Sequence, residues 1–327
     1  MRFNSALILI FLLAVGIFTY AWVWVNEKPI GEPEYGITFS SHYTDELGLD
    51  IEQTYSTLVM ELGVSNVRLP LYWSDIEKAP SEFDWSVSDS LVALSESEDV
   101  NLTVVVGMKV PRWPECYVPD WAEGFDEDHQ QQAVLSFIKE AVNRYKDSSA
   151  VVRWQVENEP FFPYGECPLI SIEQFKQRVE LVRSLDARPI MVTVSGEIGP
   201  WLESAQAADV LGISMYRLTW NDLYGYFVYP ISPEFYFARA TLVRDNVDAV
   251  IVSELQAEPW FPEPIRSRPL TDWYHYFTAE MFETNVRFAQ EAGLPEVYLW
   301  GAEWWVALHN AGDDRLWNVA KEVFSKE

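Results

Sequence analysis

The chain has only two cysteines, Cys116 and Cys167, and four histidines, His42, His129, His275 and His309. None stands at zinc-ligand spacing to another, which removes structural zinc, iron–sulfur and haem readings and leaves no call for a cofactor. Positive charge is scarce too: 23 Lys and Arg face 50 Asp and Glu, for a formal net charge of -27. Such a chain repels phosphate backbones and anionic headgroups, so nucleic acid is excluded as a partner. No Gly/Ser-rich or Pro-rich linker divides the 327 residues, so the folded part is read as one domain and one monomeric unit. Any chemistry must therefore come from carboxylates. At 49% hydrophobic residues the chain is too apolar to remain disordered.

Arg2 precedes an apolar run from Ala6 to Val25, about the twenty residues a helix needs to cross a bilayer. With Arg2 on the near side and an acidic flank beyond Glu27, the positive-inside rule puts the N-terminus in the cytoplasm and the rest outside. Residues 1–27 are read as a signal-anchor, the only contact with membrane. The alternative is a cleavable signal peptide and a secreted product. The small-x-small sites for cleavage, Thr19–Ala21 and Ala14–Gly16, are poor, and the apolar run continues past both. Residues 28–327 form the domain itself.

From Tyr35 onward, short apolar runs alternate with longer amphipathic ones. Strands are expected at Tyr35–Phe39, Asn66–Leu69, Leu102–Gly107, Val151–Val156, Ile190–Val194, Val210–Ser214, Ala249–Ser253 and Val297–Trp300, each β-branched and apolar enough for burial on both faces. Helices are expected at Ile51–Leu62, Ser86–Ser97, His129–Tyr145, Ile172–Leu185, Pro200–Ala207, Glu234–Arg244, Trp273–Ala292 and Asp314–Phe324. Eight βα units in sequence predict an α/β fold, a (β/α)8 TIM barrel with its site at the C-terminal strand ends.

The residues past those ends are polar and aromatic. They include Ser40 and His42 after strand 1, Arg68 at the end of strand 2, Lys109, Arg112 and Trp113 after strand 3, and Asn158 and Glu159 after strand 4. Glu197 follows strand 5, Tyr216 strand 6, Glu254 and Glu258 strand 7, and Trp300, Glu303 and Trp304 strand 8. Carboxylates on strands 4 and 7 nearly face each other across such a ring and can flank a glycosidic bond. Fifteen Trp and sixteen Tyr also suit a protein that stacks sugar rings.

Trp154-Gln155-Val156-Glu157-Asn158-Glu159-Pro160 resembles the strand-4 Asn-Glu-Pro motif of clan A glycoside hydrolases, the cellulase- and β-galactosidase-like group, and Val252-Ser253-Glu254 resembles that clan's strand-7 end. The resemblance spans the barrel, Tyr35 to Phe324, and does not select a family within the clan. It implies Glu159 as general acid/base, Glu254 as nucleophile and Asn158 as the holder of the sugar 2-hydroxyl. It further implies that Arg68 and Tyr216 contact the nucleophile and that Trp300 floors the subsite of the cleaved sugar. The chain departs from the clan at strand 3, where Gly107-Met108-Lys109 replaces a histidine, and at strand 6, where Tyr216-Arg217 stands for His-x-Tyr.

The expected activity is retaining hydrolysis of an extracytoplasmic β-linked carbohydrate, with the two carboxyl groups about 5–5.5 Å apart. Transglycosylation with the same residues and a non-catalytic carbohydrate-binding barrel are the alternatives. Glu258 is the rival to Glu254, and Trp304 the substitute for Trp300. His42, Trp113 and Lys109 are candidate substrate contacts, while Glu157, Glu197 and Glu303 are expected in salt bridges or in supporting positions behind the site residues. Cys116 and Cys167, in neighbouring loops of one face, are expected to pair as a disulfide in an oxidising compartment.

Overall fold

The computed structural model describes residues 5–26, 31–221 and 223–325. Eight parallel strands close a barrel: β1 (Glu34–Thr38), β2 (Asn66–Pro70), β3 (Asn101–Val106), β4 (Val151–Val156), β5 (Ile190–Val194), β6 (Val210–Met215), β7 (Ala249–Gln256) and β8 (Glu296–Trp300). Each pairs with its sequence neighbours, and β1 closes the ring on β8 from Glu34↔Glu296 to Thr38↔Trp300. The strands read from the sequence are all present. β4 and β5 keep the read bounds.

Alternation along the strands builds two layers. Val67 and Leu69, Val192 and Val194, Leu211 and Ile213, and Val250 and Val252 join the core packed beneath the helices. Met191, Val210, Ile251 and Tyr298 form a separate small cluster inside the barrel. Above that plug the inward positions turn polar: Thr38, Arg68, Gln155, Thr193 and Ser214 are all buried. In β7 the alternation is interrupted. Val252 pairs with Ile213 and Glu254 with the very next residue, Ser214, so Ser253 is the extra residue of a bulge. Two successive β7 residues, Ser253 and Glu254, thereby turn toward the barrel mouth, and Leu255 returns to the outer core.

The outer helices follow their caps. Ser171 and Gln174 form a capping box that starts Ile172–Leu185. The Asp126 side chain accepts from the His129 backbone N–H and starts the next-earlier helix at Glu127, two residues before the read position. The single helix expected over Trp273–Ala292 is instead a 3-10 segment, Leu270–Tyr276, and an α-helix, Ala279–Ala292. The break falls at Phe277, which is extended, and Thr278 recaps the chain through the Met281 N–H. Ile51–Leu62 divides into an α-helical turn pair, Ile51–Ser56, and a π-helical Thr57–Glu61. Ala302–Asn310, a helix the sequence reading did not separate from the strand-8 loop, follows β8 after Gly301 alone.

Six of the fifteen tryptophans, Trp73, Trp154, Trp273, Trp304, Trp305 and Trp317, are fully buried. Much of the aromatic richness is therefore core packing.

The apolar N-terminal run is helical over Ser5–Asn26, with exposed side chains from Ile8 to Tyr20. Arg2 and Glu27, on which the orientation rests, lie outside the described residues. Among the described residues, no helix is long and apolar enough to cross a membrane.

Candidate active site

Glu254 enters the mouth from β7 by way of the bulge. Arg68, fully buried on β2, donates from Nη1 to Glu254 Oε1 at 2.7 Å, and the Tyr216 hydroxyl donates to Oε2 at 3.1 Å. Arg68 also donates from Nε to Gln155 Oε1 and from Nη2 to Asn158 Oδ1, each at 2.7 Å. The guanidinium is thus locked by partners on β7 and at the end of β4, and it fixes the Glu254 carboxyl in place.

Opposite lies the end of β4, where Glu157 and Glu159 both take left-handed φ, 58° and 42°. Side-chain-bearing residues seldom adopt that region, and such outliers concentrate at functional sites. The surroundings enforce it. The Glu157 carboxylate accepts from the Lys109 backbone N–H at 2.7 Å and from Arg178 Nη1 at 2.6 Å. It occupies space that Gly107 leaves open, since a Cβ there would lie 2.2 Å from Glu157 Oε1. Glu157 is therefore a buried support, as its expected salt-bridge role required.

The Glu159 backbone N–H donates to Thr193 Oγ1 at 2.9 Å, and Ser214 Oγ donates to Glu159 Oε1 at 3.0 Å. Burial pushes the Glu159 carboxyl up to about 8, the charge of Glu254 adds to this, and Lys109 opposes it. At neutral pH Glu159 carries a proton while its partner across the mouth is salt-bridged. The two carboxyls thus sit in opposed environments, one paired with a cation and one buried.

Asn158 is satisfied on both sides, with Thr193 Oγ1 also donating to its Oδ1 at 3.0 Å and its Nδ2 donating to Glu115 Oε1 at 3.3 Å. Glu115 was not singled out from the sequence. It is brought in by a tight turn after β3 in which Arg112 and Glu115 have φ of 88° and 68°, and it pairs with buried Lys109 at 3.4 Å. Burial raises the Glu115 carboxyl well above its ordinary range. Lys109 spans to the Glu159 and Phe162 carbonyls at 3.1 and 2.7 Å, so it braces the β4 loop from beneath. Glu197 accepts from the Tyr216 backbone N–H and from the Tyr236 hydroxyl, both at 2.9 Å, and fixes the turn that carries Tyr216.

Other expected contacts are distributed differently. Trp300 is 9% exposed, and the Arg112 guanidinium lies over its ring at 4.2 Å. Trp304 needs correction: it faces inward from the helix Ala302–Asn310, is fully buried and stands edge-on to Phe261, out of reach of a ligand. Glu258, the rival nucleophile, lies beyond β7 and is paired with Arg112, whose other partner is Glu303 at 3.4 Å. His42 is on the rim, tilted against Tyr72, edge-on to Tyr117 and 3.8 Å from Asp75. Trp113 is 58% exposed and edge-on to Tyr164. Tyr164 continues to Trp260, and Trp260 to Tyr216, an aromatic rim that reading single strand ends did not assemble.

Cys116 and Cys167 are joined, with Cα atoms 5.1 Å apart. The bond ties the β3 loop to the β4 loop beside Glu159, and it fits an oxidising compartment. The aromatic segment after Tyr216 forms a hairpin, Leu218–Asn221 with Gly225–Val228. Its Tyr226 packs on Tyr276, while Leu223 and Tyr224 are exposed.

Comparison with known proteins agrees with this architecture. The family description "Glycosyl hydrolase family 10" matches residues 46–179. Among solved structures, the chain is similar to a β-galactosidase from the psychrophilic Marinomonas ef1, at TM-score 0.61 and 16% identity over 89% of this chain and 59% of that one. It is also similar to a polyextremophilic β-galactosidase from the Antarctic haloarchaeon Halorubrum lacusprofundi, at TM-score 0.58 and 14% identity over 89% and 57%. A psychrophilic glycoside hydrolase family 10 endo-β-1,4-xylanase matches at TM-score 0.53 and 14% identity over 82% and 85%. The chain spans less than two thirds of the length of the two β-galactosidases. The family match covers less than half of the chain, and the solved structures share its barrel fold.

Proposed function

We propose that this clan A glycoside hydrolase barrel is a retaining β-glycosidase acting on β-linked oligo- or polysaccharide outside the cytoplasm. The observation that carries the reading is the pair of unlike carboxyls at one mouth: Glu254 held by Arg68 and Tyr216, and Glu159 buried against Ser214 with its carboxyl pushed up to about 8.

In the first step Glu254 attacks the anomeric carbon while Glu159 gives its proton to the leaving oxygen, and the glycosidic C–O bond breaks. Esterification removes the Glu254 charge, so Glu159, now ionised, takes a proton from water. The water oxygen attacks the anomeric carbon and releases Glu254 with the sugar configuration retained. Asn158, fixed by Arg68 and Thr193, is placed to hold a hydroxyl next to the reacting carbon. Trp113 and the Tyr164–Trp260 rim offer stacking surface at the entrance. The apolar N-terminal segment directs the folded domain out of the cytoplasm, where it acts as a monomer with carbohydrate as its ligand.

The test is incubation of the purified chain with β-linked polysaccharides, oligosaccharides and aryl glycosides, with anomeric NMR of the first product. A β-anomer first product, lost in Glu159→Gln and Glu254→Gln, is expected. Longer products would identify transfer to a sugar acceptor at the aromatic rim. Turnover unchanged by either substitution would overturn the assignment.

A further inference from the structure

A carboxyl acid delivers its proton only from the oxygen that carries it, and the fold treats the two oxygens of Glu159 differently. Oε1 accepts from Ser214 Oγ at 3.0 Å, whereas no group among the described residues bonds Oε2. Ser214 is the β6 residue that pairs with Glu254 across the β7 bulge. One small side chain therefore stands beside both carboxyls of the mouth.

A third group fixes the direction of the bond. The Gly196 backbone N–H, just past β5, donates to Ser214 Oγ at 3.3 Å. That approach needs glycine, because a Cβ on Gly196 would lie 1.9 Å from the Ser214 carbonyl oxygen. With one donor already on Oγ, the acceptor that the Ser214 hydroxyl reaches is Glu159 Oε1. If Glu159 donated instead, the hydroxyl would face two donors and its own proton would have no acceptor, in a residue only 5% exposed.

We propose that Ser214 is a positioning residue for proton transfer: by donating to Oε1 it reserves that oxygen as an acceptor and keeps the acidic proton of Glu159 on Oε2, toward the leaving group. The inference rests on the reading of Glu159 as acid/base. In the first step the proton passes from Oε2 to the glycosidic oxygen, and the Ser214 bond strengthens as negative charge appears on the carboxyl. In the second step Oε2 takes a proton from the attacking water and the starting arrangement returns. The Ser214 proton stays on Oγ throughout.

Ser214→Ala in the full chain tests this. The charged groups that act on Glu159 remain: Glu254 on β7, Lys109 and Glu115 beyond β3, and Glu197 beyond β5. Tyr164, in the β4 loop, also remains. Because the lost bond favours the ionised carboxyl, the 13C-detected titration of Glu159 should move up by about one pH unit. Kinetics then separate proton delivery from scaffolding. kcat/KM is compared for phenyl and 2,4-dinitrophenyl β-glycosides of glucose, galactose, mannose and xylose. Dinitrophenolate departs without protonation, so its kcat/KM should be nearly unchanged, whereas the phenyl glycoside should lose about 10-fold. Equal loss on both leaving groups would make Ser214 a scaffold residue and overturn the proposal. So would an unchanged phenyl rate, or a Glu159 titration that stays in place or moves down. Absence of wild-type turnover on every glycoside would instead defeat the acid/base reading itself, and the Ser214 bond would then be judged by the titration alone.

Discussion

Replacing Glu254 by glutamine should change the acidity of a residue on the other side of the barrel. Glu159 stands at about 8, first because it is buried and next because Glu254 is negative. At the separation of a retaining pair, about 5.5 Å, and an effective dielectric constant of about 20, one unit charge contributes 332/(20 × 5.5), or about 3 kcal/mol. That corresponds to a pKa lower by about 2 once the charge is gone. The Glu159 carboxyl should then titrate near 6 in Glu254→Gln, still above its ordinary value because burial persists. Side-chain carboxyl 13C shifts followed from pH 4 to 10 would read this directly, with Glu159→Gln identifying the resonance.

Linkage gives a second readout of the same group. Its folded pKa is raised above its ordinary value of 4.5, so the native state holds a proton that the unfolded chain has released, and stability falls as pH rises between those limits. Glu159→Gln should flatten that decline. A wild-type resonance that titrates near 4.5, or one unmoved by Glu254→Gln, would refute the electrostatic coupling of the two carboxyls.

Tyr216→Phe removes one of two side-chain donors to Glu254; a loss of about 100- to 1000-fold in kcat with little change in melting temperature is expected, and steady-state kinetics beside thermal unfolding would check it. Replacing both Cys116 and Cys167 by serine opens a loop with a sequence separation of 51, which in the chain-entropy account costs about 4 kcal/mol in denaturant unfolding. Gly107→Ala places a methyl 2.2 Å from the Glu157 carboxylate at a φ of 136°. The expected result is loss of about 3 kcal/mol or more together with loss of activity, whereas Gly63→Ala, with nothing within 4 Å of the added Cβ, should show only its own backbone cost.

The barrel was legible because burial on both faces leaves a strong mark: every strand is a short β-branched run, and the helices between them carry caps such as Ser171 and Asp126. Arg68, Asn158, Glu159, Tyr216 and Glu254 were legible as a set because each stands at a strand end, and the structure draws them into one hydrogen-bonded group. What escaped depends on side-chain direction and on loops. Trp300 and Trp304 are four residues apart and look interchangeable, yet one ends a strand and the other begins a helix that faces the core. Glu115 reaches the mouth through a turn in which it and Arg112 take left-handed φ that neither type favours, so nothing local announces it. The split of Trp273–Ala292 was hidden because aromatic residues fill both the 3-10 segment and the helix.

The bulge in β7 gives the protein an unusual point of fragility. Barrel closure depends on strand pairing, and pairing tolerates the loss of one unpaired residue; the chemistry depends on which side of the sheet Glu254 occupies. Excision of Ser253 would restore strict alternation with Glu254 still facing inward, whereas pairing every residue of Ile251–Leu255 without the bulge would rotate the carboxylate out under the helices, away from Arg68. A one-residue slip of register in β7 therefore preserves the barrel while silencing its chemistry, so in a lineage of such barrels the route from enzyme to inert scaffold need not touch a single site residue.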